Sequence, residues 1–365
     1  MDISLSWEQQ QLKDTLAKLV AGLKPGQDWR VAWKQLAELG VLGLPIAEAS
    51  GGAGGSCVDA MVVLEALGRG PAASPYLASV VLAGGLLDKV ASPEQRARIL
   101  PGLAAGARLP ILAHAERAAR YDLAHVATKA AKRGDGFVLD GAKQVVPWAD
   151  AADTLVVSAR IASDTASRQG IALFLVDPQS KGVAVRGYPT VDGHRAGDVT
   201  LEGVLVGAAD VLPDPGAALE PIERAVERAT AAVCAEASGA MAALYDLTLG
   251  YTKQRRQFGA TIGSFQAVQH RLVDMFMGVE TARSMAALAA IAADRADGAD
   301  ARRDIAAAKA HIARWSRFVA QQGVQLHGAI AMTDEYPAGR YFKRLTVLET
   351  MFGDADHHRR VVAAT

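Results

Sequence analysis

Little in this sequence advertises an interaction by charge, by thiol chemistry or by long apolar runs. Lys and Arg total 39, as do Asp and Glu, so the 365 residues carry no formal net charge. Nucleic-acid binding by phosphate neutralisation needs clustered cations, and no basic stripe is present. Cysteine is nearly missing. Cys57 and Cys234 are the two present, far apart and without metal-ligand spacing, which reads as buried reduced thiols of a cytoplasmic protein. No uninterrupted apolar run reaches the roughly 18 residues of a membrane span. The opening MDISLSWEQQQLKD is polar and helix-like, without a basic-then-apolar signal segment.

What is present is material for burial. Half of the residues are hydrophobic and 21% are charged, which argues for a packed chain and against disorder. At 365 residues, two or three packed domains are expected. Residues 1–108 are rich in Ala and Leu, with helical spacing over 33–42 and 59–67. The segment 49–56, Ala-Ser-Gly-Gly-Ala-Gly-Gly-Ser, is too glycine-rich for helix. It follows no strand and lacks a Lys-Ser/Thr pair, so it reads as a connecting loop and not a phosphate cradle.

From residue 109 to 212 the period changes. The run 136–142 alternates and contains Asp140-Gly141, a hairpin signal. Short β-rich runs follow at 154–158, 171–176, 183–185 and 199–206, which suggests a small antiparallel barrel or sandwich. Residues 213–365 read as helical. Phe265, Val268, Leu272, Met275, Val279 and Ala282 form one apolar stripe, and Ile305, Ala308, Ile312, Trp315, Val319 and Leu326 form another. Long alanine-rich helices of this kind predict a four-helix bundle with apolar surface left for subunit contacts. The expected fold is therefore mainly α with a central β domain between two helical domains.

Three segments carry chemistry. Tyr251-Thr-Lys-Gln-Arg-Arg-Gln-Phe-Gly259 precedes Ile262-Gly-Ser-Phe-Gln266, and Gln325-Leu-His-Gly-Ala-Ile-Ala-Met-Thr-Asp-Glu-Tyr-Pro337 follows later. Arg255 and Phe258, three apart, would share a face at a helix end, and Gly259 would supply the left-handed exit. An arginine there can meet a pyrophosphate with two hydrogen bonds while the aromatic packs on a ring system. Ser264 is a candidate N-cap that puts Gln266 in a first turn, where partial positive charge favours phosphate oxygens. In order and spacing these segments, on the three-part background, resemble the acyl-CoA dehydrogenase family. The resemblance covers the whole chain. It implies FAD bound between subunits of a tetramer, with Arg255, Phe258 and Gln266 on a neighbour's FAD and Gln325 and Gly328 near its adenine half. It also implies an acyl-CoA substrate desaturated between Cα and Cβ, and an electron-transfer flavoprotein as acceptor.

The family reaction needs a carboxylate base within hydrogen-bond reach of Cα. By resemblance, one family position for it falls at Phe352 in Leu348-Glu-Thr-Met-Phe-Gly-Asp-Ala-Asp-His-His-Arg359, and the other at Ala229 or Thr230. None of these side chains can take a proton, so no catalytic residue is assigned. Glu227 and Asp354 are the nearest acids, each two residues off. About 100° of rotation per helical residue should turn Glu227 elsewhere. The family loop that touches flavin and thioester corresponds to Ala115-Glu-Arg-Ala-Ala-Arg-Tyr-Asp122, without its threonine and glycines. Its flavin-contacting Trp-Ile-Thr corresponds to Val145-Val-Pro147, with Trp148 out of register, and Gly-Ala-Ile-Ala at 328–331 departs from Gly-Gly-Ile-Gly.

Asp354, Asp356, His357 and His358 form a rival, metal-like cluster, but adjacent histidines point apart, and acidic residues before a last helix are a helix-start pattern. The chain thus keeps what the family lends to a neighbour and lacks what it would use itself. Three readings remain: a non-catalytic subunit of a mixed oligomer with a homologous dehydrogenase, a self-sufficient homotetramer with Asp354 or Glu227 as base, and a non-redox scaffold on the same fold.

Overall fold

The computed structural model describes residues 4–295 and 298–364. The chain opens with α1 (Trp7–Gly22) and α2 (Trp29–Glu38), and α3 (Cys57–Arg69) follows the glycine loop. Ser6 and Ser56 each start a helix with a capping box, closed by Gln9 and Asp59. The glycine segment folds back on the preceding 3-10 turn, with Gly54 N donating to Ile46 O at 2.8 Å and Gly55 N to Leu44 O at 2.7 Å. A π-helix, Leu77–Gly84, then runs directly into α4 (Gly85–Val90), and α5 (Pro93–Ala104) completes this region.

Seven strands form one curled sheet: β1 (Pro110–Ala113), β2 (Lys129–Arg133), β3 (Gly136–Pro147), β4 (Thr154–Arg160), β5 (Ile171–Val176), β6 (Val183–Pro189) and β7 (Arg195–Val206). Most neighbours are antiparallel, as alternation suggests. β1, however, lies parallel to β4, and it and β2 have no clear signature in the sequence. The Asp140-Gly141 hairpin is corrected. β3 runs straight through it, and the turn lies at Gly134-Asp135, between Arg133 and Gly136. Asp140 instead marks a register shift in the β3–β7 ladder, where its Oδ1 accepts from Gly203 N at 2.7 Å. Gly141 serves close packing, because a Cβ there would lie 2.6 Å from Thr128 Oγ1.

The C-terminal helices are α6 (Leu219–Gln254), α7 (Gln266–Asp294), α8 (Ala299–His327), α9 (Ala338–Thr350) and α10 (Ala355–Ala364). Both apolar stripes face the bundle for most of their length, with Leu272, Met275, Val279 and Ala282 buried on α7 and Ile305, Ala308, Ile312 and Val319 on α8. Helix approach is close where glycine permits it. A Cβ on Gly239 of α6 would meet Glu65 O of α3 at 2.0 Å, and one on Gly68 would meet Glu236 O at 2.1 Å. This reciprocal contact fixes the first helical region against the bundle. By length and composition α7 is apolar enough to cross a membrane, yet half of its most apolar window is buried.

Candidate functional site

Two separate features draw the motif residues together. The first is the end of the bundle where α6 and α8 finish and α7 begins. The helix α6 stops at Gln254 and Arg255 is extended, so Arg255 and Phe258 do not share a helix face. Instead Arg256–Gln257 (β8) pairs with Ala260–Thr261 (β9) in a tight hairpin. Its two central residues, Phe258 and Gly259, have φ of 53° and 79°, the left-handed pair that a two-residue hairpin requires. Gly259 therefore makes a hairpin turn and is not a helix stop. A phenylalanine held there is strained by about 1 kcal/mol or more, and it stands 92% exposed.

Ser264 is not the cap of α7. Its hydroxyl donates to Thr261 O at 2.7 Å, and Phe265 precedes the helix without a side-chain cap. Gln266 is nevertheless the first residue of α7, and it is exposed. Arg255 is exposed and has no ion-pair partner among the described residues. Tyr251 packs on His327 with ring centroids 4.6 Å apart, which brings the end of α8 beside the hairpin. There Gln325 is exposed, and Gly328 ends the helix at φ 69°. All five residues are on the surface, and none of them lines the interdomain cavity.

That cavity, of about 840 Å³, is the second feature, and all three regions contribute to its wall. Phe352 lines it at φ 57°. The turn carrying it is fixed from behind. Buried Lys309 donates to Glu349 O at 2.8 Å and Gly353 O at 2.9 Å, and His358 Nε2 lies 3.1 Å from Phe352 O. Thr230 also lines the cavity, its hydroxyl donating to Val226 O at 2.7 Å, whereas Ala229 is buried away from it. Glu227 does line the cavity, contrary to the expected turn away. It lies three residues before Thr230 and so shares its helix face. Its Oε1 accepts from Arg302 Nε at 2.6 Å. Asp354 is not in the wall. Its Oδ1 accepts from His357 N at 2.8 Å at the start of α10, and that backbone bond, first among its causes, holds the carboxyl below its ordinary range.

The other members of the metal-like cluster also have separate partners. Asp356 pairs with Arg359 at 2.9 Å, and the His357 and His358 rings stand at 87°. No cluster of three or more metal-ligand residues occurs among the described residues.

Sequence reading did not find the buried charges of this wall. Arg344 bridges Asp192 at 2.6 Å and Glu236 at 2.7 Å. Burial, and next Arg344, press His194 down to about 3, so it is neutral. Glu116 turns inward to Lys143 Nζ and Thr128 Oγ1, both at 2.7 Å, so it does not face the cavity. In the segment 145–147, expected by resemblance to contact flavin, Val145 N donates to Asp198 Oδ1 at 3.1 Å, and Pro147 has no N–H. That stretch is poorly suited to hold a flavin ring. By contrast, an exposed arginine, an exposed aromatic and a helix N-terminus at the bundle end fit a pyrophosphate and a ring.

Sequence models of the acyl-CoA dehydrogenase N-terminal, middle and C-terminal domains match residues 7–107, 112–204 and 221–365. The chain belongs to the acyl-CoA dehydrogenase family. It is 29% identical to a probable acyl-CoA dehydrogenase, YngJ of Bacillus subtilis, with 100% of this chain and 99% of that one covered. Among solved structures it resembles the ChsE4-ChsE5 complex of Mycobacterium tuberculosis, at TM-score 0.87 and 29% identity over 100% of this chain and 98% of that one. A variant of the Tcur3481-Tcur3483 steroid acyl-CoA dehydrogenase gives TM-score 0.85 at 29% identity, covering 98% and 97%. Both solved structures pair two differently named proteins.

Proposed function

We propose that this acyl-CoA dehydrogenase chain is the non-catalytic subunit of a mixed oligomer, in cytoplasm, with residues 1–108, 109–212 and 213–365 as its three domains. In that assembly Arg255, Phe258, Gln266, Gln325 and Gly328 complete the FAD site of a homologous subunit that carries the base. Arg255 meets the pyrophosphate, Phe258 packs on a ring, and the first turn of α7 offers its N–H groups to phosphate oxygens. FAD held by these residues would supply the hydride acceptor for Cβ of an acyl-CoA on the partner, with an electron-transfer flavoprotein as the onward acceptor.

One observation supports this reading: five motif residues are exposed at one end of the bundle, while Phe352 and Thr230, which stand at base positions by resemblance, line the chain's own cavity. The apolar surface of α7, with Val273 56%, Phe276 48% and Met277 47% exposed, suits a heterotetramer contact. Glu227 supports the second reading, a self-sufficient homotetramer, because it lines the cavity. Its salt bridge to Arg302 opposes a role as free base. Asp354 lies outside the wall and has no such support. A scaffold without redox chemistry gains nothing from a strained, exposed Phe258.

Co-expression with a homologous dehydrogenase, followed by mass measurement and flavin quantitation, tests the assembly. The expected product is a mixed tetramer with fewer flavins than subunits. A stable homotetramer with one FAD per chain overturns the reading.

A further inference from the structure

The interdomain cavity has an unusual wall. Leu77 and Leu82, five residues apart, both line it, and both belong to the π-helix. An α-helix turns about 100° per residue, which would set these side chains roughly 140° apart. Bonding from i to i+5 stacks them on one face instead. Eight consecutive π-helical residues are a costly departure from α geometry, and such departures gather at functional sites. Here the departure adds two leucines to the apolar lining that Phe352, Ile305 and Val347 also supply.

Charge in the lining is nearly all matched. Four arginines line the cavity, and three of them contact carboxylates: Arg195 with Asp150, Arg302 with Glu227, and Arg344 with Asp192 and Glu236. Glu223 is held by Arg168 at 2.8 Å, and Asp122 is turned onto Ala124 N at 2.9 Å. Arg120 alone among these arginines has no partner among the described residues. It is exposed, at φ 50°, beside cavity-lining Tyr121. A volume of about 840 Å³ falls within the range of ligand pockets, roughly 300–1,000 Å³.

We infer that this cavity is a ligand-holding site for an apolar monocarboxylate, with the carboxylate on Arg120 and the hydrocarbon against the π-helix wall. That the ligand is held and not consumed rests on the non-catalytic reading of this chain. A free carboxylate fits better than a CoA thioester, because one unpaired arginine matches a single anionic head and not several phosphates.

Calorimetric titration of the full chain, in the assembly in which it purifies, tests this with dodecanoate, dodecanol and dodecanoyl-CoA. Dodecanoate is expected to bind once per copy of this chain and more tightly than dodecanol. The part of its binding that depends on Arg120 is expected to exceed that of dodecanoyl-CoA, whose binding to a partner subunit does not depend on Arg120. Arg120→Gln should weaken dodecanoate about ten-fold or more and change dodecanol less than about two-fold. Arg120→Lys should recover part of the loss. Ala78→Phe, which narrows the wall, should weaken dodecanoate and dodecanol together. Equal binding of dodecanol and dodecanoate, or indifference of dodecanoate to Arg120→Gln, overturns the site. Tighter Arg120-dependent binding of dodecanoyl-CoA than of dodecanoate overturns the choice of a free carboxylate. Flavin content does not enter these titrations, so failure of the partner reading shows separately, in the flavin count.

Discussion

Glu227 on α6 and Arg302 on α8 are joined at the cavity wall, with 2.6 Å between Oε1 and Nε. A second carboxylate, Glu223, approaches the same guanidinium at 3.8 Å. The acid closest to the expected base positions is thus an ion-pair member. Glu227→Gln should leave acyl-CoA oxidation by the assembled oligomer within about two-fold. Were Glu227 the general base, the loss would be about two to four orders of magnitude. Steady-state rates over a panel of acyl-CoA thioesters separate the two outcomes.

Arg255 gives the sharpest test of the lent half-site. It stands exposed beyond the end of α6, without a partner among the described residues. Arg255→Ala should therefore fold and assemble normally. If the guanidinium meets pyrophosphate, the charge-assisted bonds it loses weaken FAD retention about ten-fold or more. FAD remaining after extended dialysis of the assembled variant reads this directly. Unchanged retention would show that Arg255 does not touch the cofactor.

Phe258 should display an exchange of stability for function. Its φ of 53° favours glycine, and its ring, 92% exposed, contributes little to the chain's own core. Phe258→Gly should leave the isolated chain as stable or raise its melting temperature by a few degrees, consistent with about 1 kcal/mol of relieved strain. The same variant should retain less FAD once assembled. A fall in the isolated chain's stability would mean that the ring is needed for folding, and the argument from strain would fail.

The order of helical, β and helical regions was legible because helical spacing and strand alternation are local signals. The motif residues at 251–266 were legible by resemblance, yet their local geometry was not. A Phe-Gly pair can end a helix or turn a hairpin, and only the pairing of Arg256 with Thr261 decides. Asp140-Gly141 misled in the same way, since a continuous β3 is imposed by its partner β7. The facing of Glu227 was missed by counting rotation from Ala229, although Thr230 is the cavity-lining neighbour. Arg344, Asp192 and Glu236 gave no signal at all. They lie 152 and 108 residues apart in sequence, and only tertiary packing joins them.

Acid should destabilise the chain well above the range where carboxylates titrate. His114, His194 and His358 are each pressed down to about 3, chiefly by burial, then by Lys143, Arg344 and Lys309 respectively. Unfolded, these imidazoles return to about 6.5. Above that value neither state binds the protons, and the stability is fully present. As pH falls from 6.5 towards 3, the unfolded chain binds protons that the folded chain refuses, so stability is lost progressively. The limiting slope is about 1.4 kcal/mol per pH unit for each histidine. Denaturant unfolding from pH 7.5 to 4 should therefore show a steep decline beginning near 6.5. His114→Gln, which removes one of the three groups, should make that decline shallower whatever it does to stability at neutral pH. An unchanged slope would mean that His114 takes up its proton in the folded chain as readily as in the unfolded one.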